Sequence, residues 1–107
     1  MKTFLVYELF GEFAISDKDG ELLYSKIENE LKEGNSVTVD FSNVETVLTQ
    51  FLNSAIATLY KDYTSEYLKE NLKVTGLKSM DSLRKVVSRA KMFYKDEQSA
   101  KIIMEEE

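Results

Sequence analysis

The chain has 107 residues, 43% hydrophobic and 31% charged, with 14 Lys and Arg against 19 Asp and Glu for a net charge of −5. That length suits one compact domain around one core. With no His and no Cys, it lacks the two side chains that titrate or attack most readily near neutral pH, which excludes Ser-His-Asp and Cys-His nucleophiles, thiolate zinc and iron–sulfur sites, His- or thiolate-held haem, and disulfides.

The acidic balance argues against a general nucleic-acid binder, which needs surplus Lys and Arg for phosphate contacts. No apolar stretch approaches the roughly 20 residues of a membrane helix. The opening Met1 to Tyr7 carries one Lys, its apolar run breaks at Glu8, and no small-residue cleavage site follows, so it does not read as a secretory signal. The expected location is therefore cytoplasmic, without a membrane partner.

Thr3 to Leu9 places β-branched and aromatic residues on both alternating faces and predicts a strand with little exposed surface. Phe10 to Ile15, interrupted by Gly11, reads as its partner or its continuation. Ser16-Asp17-Lys18-Asp19-Gly20 is a polar turn, after which Leu23, Tyr24, Ile27 and Leu31 recur at helical spacing. Gly34 and Asn35 tolerate the left-handed conformation that commonly ends a helix. Val37, Val39 and Phe41 then alternate with Thr38 and Asp40 as a strand.

Phe51, Leu52, Ala55, Ile56, Leu59 and Tyr63 form a second helical stripe, with Thr49 as its expected N-cap. Leu72 and Val74, with Gly76 and Leu77 as a further extension, predict another strand. Met80, Leu83, Val86, Val87, Ala90 and Tyr94 predict the last helix. The pattern implies an α/β fold with a mixed open sheet of about four strands and three main helices, in one domain over residues 1–96. Residues 97–107 form a helical or frayed acidic tail.

Few features carry chemistry on their own. Asp17, Asp19 and Gly20 echo the front of a calcium loop but lack its later ligands, so a turn is the preferred reading. The Gly residues at 11, 20, 34 and 76 are too dispersed for a phosphate loop. The final helix is locally basic, with Lys78, Arg84, Lys85, Arg89, Lys91 and Lys95 against Asp81; a solvated rim balancing an acidic body explains it without RNA. Asp40 stands at the carboxyl end of a strand, where open α/β folds bind ligands. Hydrogen bonding to the following turn also explains it and is the preferred reading. No cofactor or metal is expected.

The most specific stretch runs from Val37 to Ile56: a strand ending Asp40-Phe41-Ser42, a short connector, and a helix opening Phe51-Leu52-Asn53. It resembles the STAS-like family of bacterial proteins of the DUF4325 type, itself similar to the STAS domains of anti-sigma factor antagonists. The upstream Leu23 to Gly34 helix and the downstream Leu72 to Leu77 strand fall in the order this resemblance expects.

The resemblance implies a non-catalytic regulatory module that binds a protein partner, a kinase-like or ATPase-containing regulator, through the connector and helix start. In the antagonists a serine at that helix start is phosphorylated, and the modification switches association off. Here Gln50 stands where related sequences place Ser before Phe-Leu-Asn, and Thr49 is the candidate for modification in its stead. The candidate interface is Asn43, Glu45, Thr49, Gln50 and Asn53. The alternative is a small-molecule module or a carboxylate/Lys enzyme at the strand ends, with Asp40 and Lys78 as first candidates.

Overall fold

A computed structural model describes residues 2–78 and 80–106, with side chains through Tyr94. Its order is β1 (Lys2–Leu5), α1 (Val6–Phe10), β2 (Phe13–Ala14), α2 (Asp17–Lys32), β3 (Val37–Asp40), β4 (Thr46–Val47), α3 (Thr49–Ala55), a 3-10 helix (Ala57–Lys61), α4 (Ser65–Asn71), β5 (Leu72–Thr75) and α5 (Asp81–Glu106).

The class is α/β as expected, but the sheet is parallel, not mixed. β1, β3 and β5 pair in that order, all parallel, and β2 with β4 makes a separate parallel ladder. Among the described residues there are five α-helices, where three main helices were expected. The acidic tail expected over 97–107 falls among positions whose side chains lie outside the described residues.

Register explains how the sheet meets the core. Phe4, Val39 and Val74 stand opposite one another, as do Lys2, Val37 and Leu72. Because side chains alternate along a strand, these six share one face, and Val37 and Val39 are fully buried on it. The other face carries Thr3, Thr38 and Lys73, then Leu5, Asp40 and Thr75, none of them buried. Helices thus cover one side of the sheet, in contrast to the two-sided burial usual for parallel strands.

The expected strand over Thr3 to Leu9 stops at Leu5. Val6 is fully buried and Phe10 packs against the core while Glu8 between them is exposed; one helical turn brings Val6 and Phe10 to the same side without Glu8, whereas a strand would put all three on one face. Leu5, Tyr7 and Leu9 are left exposed. Gly11, at φ 81°, ends α1 and donates its N–H to the Tyr7 carbonyl at 2.8 Å, a conformation glycine takes without steric cost.

α2 begins earlier than the polar-turn reading placed it. Ser16 caps it, its Oγ accepting from the Asp19 N–H at 3.0 Å, and Asp17 and Asp19 sit in the first turn, where negative charge suits the helix dipole. Gly20, Leu23, Ile27 and Leu31 form its buried stripe. The expected stop holds: the Gly34 N–H reaches the Leu31 carbonyl and the Asn35 N–H the Glu30 carbonyl, with Gly34 at φ 87°.

The second stripe is buried as read through Leu59, but its helix ends at Ala55 and continues as the 3-10 segment. Phe51 lies at its centre, edge-on to Phe10 at 5.8 Å and to Phe41 at 6.2 Å between ring centroids, an arrangement aromatic quadrupoles favour. The short helix α4 was not expected; Thr64 caps it and Leu68 alone is buried along it. α5 returns Leu83, Val86 and Ala90 to the core. Among the described residues no helix is long and apolar enough to cross a membrane.

Candidate functional site

The central strand β3 delivers its chain to solvent through a tight turn. The Asp40 carboxylate accepts from the Ser42 hydroxyl at 2.7 Å and from the Ser42 N–H at 2.9 Å, an Asx-type turn. The Ser42 hydroxyl, then its N–H, hold the Asp40 carboxyl below the usual carboxylate range, with the Thr75 hydroxyl adding to them. A carboxylate so engaged is a poor proton donor near neutral pH. Phe41 turns inward and is buried, and its N–H donates to the Thr75 carbonyl at 2.8 Å.

Gly76 closes the turn from the β5 side. Its φ is 78°, and a Cβ there would lie 2.5 Å from the Ser42 nitrogen and 2.6 Å from the Asp40 Oδ1. Only a residue without a side chain fits both the conformation and the space.

The loop beyond is held by its neighbours. Asn43 takes the left-handed conformation at φ 71° and is exposed, a region Asn tolerates better than most residues. The N–H groups of Glu45 and Thr46 both donate to the Glu12 carbonyl, at 2.8 and 3.1 Å. Glu45 is exposed and pairs with Lys78 at 3.3 Å.

Thr49 does not cap α3, contrary to expectation. It is the first helical residue; the N-cap is Leu48, which makes no side-chain cap bond and whose N–H donates to the Ala14 carbonyl at 3.0 Å. The β2–β4 ladder extends to Leu48 and so moves the helix boundary one residue beyond where hydroxyl chemistry alone places it. Thr49 is exposed, its hydroxyl not used by the helix cap. Gln50 is exposed as well, and its amide donates to the Ile15 carbonyl. Asn53 is exposed, and its main-chain carbonyl accepts from the Thr58 hydroxyl at 3.2 Å.

Thr49, Gln50 and Asn53 thus lie on the outer side of α3, opposite Phe51, Leu52 and Ala55 in the core. Asn43 and Glu45 belong to the preceding loop, where Glu45 is drawn to Lys78 in the β5–α5 connection. The two residues proposed for strand-end chemistry, Asp40 and Lys78, are each engaged with another partner, Ser42 and Glu45 respectively.

Sequence reasoning missed the apolar part of this surface. Phe13 is 52% exposed, Ile15 40% and Leu48 43%. Phe13 pairs with Thr46 and Ala14 with Val47; continuing that register sets Ile15 beside Leu48, so Phe13, Ile15 and Leu48 share the ladder's outer face while Ala14 is buried beneath it. The alternation Phe-Ala-Ile was a signal, though a two-residue strand gives it little length.

These features define a small parallel α/β domain that presents a helix start, flanked by exposed apolar residues, to solvent. The chain belongs to the STAS-like domain family of unknown function (DUF4325), whose family model matches residues 19–82. The match contains α2 from Asp19 onward, β3, the Asp-Phe-Ser turn, α3 and β5. No curated protein and no solved structure matches the chain.

Proposed function

We propose that this protein is a non-catalytic regulatory module that docks a partner protein through the entrance to α3. The observation carrying this reading is the exposed group Phe13, Ile15 and Leu48 beside the polar Thr49, Gln50 and Asn53. An apolar centre with a hydrogen-bonding rim is the anatomy of a protein interface, and clustered exposed apolar residues need a reason on a small soluble surface. The resemblance to antagonist STAS domains supports a kinase-like or ATPase-containing regulator as the partner.

In this reading Thr49 is the switch. A phosphate there adds nearly two negative charges next to Leu48, which disfavours an apolar contact while the first turn of the helix tolerates the anion. Crosslinking mass spectrometry in the source cell, with wild-type protein and the variants Leu48→Asp, Thr49→Ala and Thr49→Glu, tests both parts. The expected result is one partner crosslinked at residues 43–54, retained by T49A and reduced about tenfold or more by L48D and T49E, as loss of a central interface anchor costs. Folded variants that all crosslink like wild type overturn the proposal.

A further inference from the structure

A second feature lies on the other side of the same loop. Between residues 44–47 on one side and Gly76, Leu77, Lys78 and Ser82 on the other is a cavity of about 270 Å³. Phe41, Val44 and Leu52, all buried, line its apolar part together with the half-buried Val47 and Leu77. Its polar lining includes Glu45, Lys78 and Ser82. It adjoins the carboxyl ends of β3 and β5, the position at which open α/β sheets receive ligands. An apolar pocket with a few convergent polar groups is the usual form of a small-molecule site. The larger concavity beside Tyr60, Tyr63 and Tyr94 is instead bordered by Lys61, Asp62, Glu66 and Lys91 and has mixed charge around it.

We propose that the cavity binds a small amphipathic carboxylate, its apolar body lying against Phe41, Val44 and Leu52 and its carboxylate taking the place of Glu45 on Lys78. The volume sits just below the range of about 300–1,000 Å³ for drug-sized ligands, so the ligand is fragment-sized, on the scale of a medium-chain fatty acid. The Glu45–Lys78 pair has both side chains 66% exposed. Such pairs contribute little to stability, so exchanging one carboxylate for another on Lys78 is easily compensated when the rest of the ligand leaves water.

The sign of the headgroup follows from the lining. Lys78 is the one cation among these lining residues, and the Ser82 hydroxyl, in the first turn of α5, adds a neutral donor. Glu45 is the one anion, and it sits on an exposed side chain. This site is argued from the cavity alone and does not depend on the docking proposal, since it is read with a purified protein and a small molecule.

The test is titration of the full chain, followed by amide ¹H–¹⁵N spectra, with octanoate, octanol and octylammonium at low ionic strength. Saturable shifts confined to residues 44–52 and 76–82, with affinity in the order octanoate, octanol, octylammonium, are the expected result. Lys78→Gln weakens octanoate about two- to fivefold, the worth of an exposed ion pair, and leaves octanol unchanged. Glu45→Gln strengthens octanoate by removing its competitor. Both side chains are exposed, so both variants fold. The proposal is overturned if octanoate gives no saturable shift there, if octylammonium binds as tightly, or if K78Q binds octanoate like wild type.

Discussion

Gly20 offers a sharp test of how α3 is held, because local and tertiary effects there have opposite sign. In the interior of a helix, Gly→Ala ordinarily gains about 0.5–1 kcal/mol from reduced backbone freedom in the unfolded chain. Here an added Cβ would lie 2.7 Å from the Ser54 Cβ and 2.9 Å from the Phe51 carbonyl oxygen. The first distance is about 1 Å inside the optimal carbon separation of roughly 3.5–4.0 Å. One obstacle is backbone, which cannot rotate away, so α2 and α3 must separate. Overpacking costs about 1–3 kcal/mol, and with backbone as one obstacle the upper part of that range, about 2–3, applies, leaving G20A less stable by about 1–2 kcal/mol. For a domain this small that lowers Tm by roughly 4–16 °C. Circular dichroism melts and urea titration measure it. Ser54→Gly removes one of the two obstacles, so G20A/S54G is more stable than the two single changes sum to, without full recovery because the Phe51 carbonyl remains. A rise in Tm for G20A would show that α2 and α3 do not meet at this point, and the geometry assigned to the α3 surface would fall with it.

Two further predictions concern pH. The Tyr63 hydroxyl donates to Glu28 at 2.7 Å, and burial first, then that bond to Glu28, push its pKa from 10.0 to about 12. A raised pKa contributes stability that is complete below the unfolded value and lost as pH rises through the folded one. Tyr63→Phe is therefore less stable at pH 8, by about 1 kcal/mol for a hydrogen bond of this kind, and its gap from wild type narrows between about pH 10 and 12; urea midpoints across that range decide it, and a constant gap refutes it. Asp40 runs the other way, its pKa lowered by Ser42, so its contribution is present above the ordinary carboxylate range and disappears as pH falls through the folded value. Asp40→Asn is expected to lower the urea midpoint at pH 7 and to match wild type in acid; equal midpoints at pH 7 would contradict the Asp40–Ser42 turn.

What was legible in the sequence was what local chemistry decides. Val37 and Val39 alternate with Thr38 and Asp40, and the strand is where that pattern put it. The Gly34-Asn35 stop needed only the left-handed conformation. Elements governed by tertiary contact were misread. Val6 and Phe10 look like two positions of a strand until the core claims both from one helical turn. Thr49 is a good cap by type, yet the β4 ladder carries Leu48 to the boundary instead. Gly20 reads as a turn residue because nothing nearby in sequence reveals the Phe51 carbonyl against it. For the candidate surface, Asn43, Glu45, Thr49, Gln50 and Asn53 were all located at exposed positions. The apolar residues beside them were not, since Phe13, Ile15 and Leu48 are apolar in the same way as core residues and only the pairing of β2 with β4 turns them outward.

The proposed docking surface and the cavity meet at residues 44–47, and this segment has little structure of its own: two ladder residues that follow the turn at Ser42 and Asn43. Its position is imposed from three directions. The Glu12 carbonyl accepts from two of its N–H groups, the Thr75 carbonyl accepts from the Phe41 N–H in the turn that feeds it, and Lys78 holds Glu45. Of these, the Thr75 and Glu12 bonds are main-chain, and the Lys78 pair alone is between exposed side chains and easily exchanged. The segment is therefore fixed at its start and along its ladder, while the Glu45 side chain is free to answer whatever occupies the adjoining space. A change in that side chain's partner alters the charge of the loop that leads into α3 without moving the fold, which is the property the proposed regulatory surface requires.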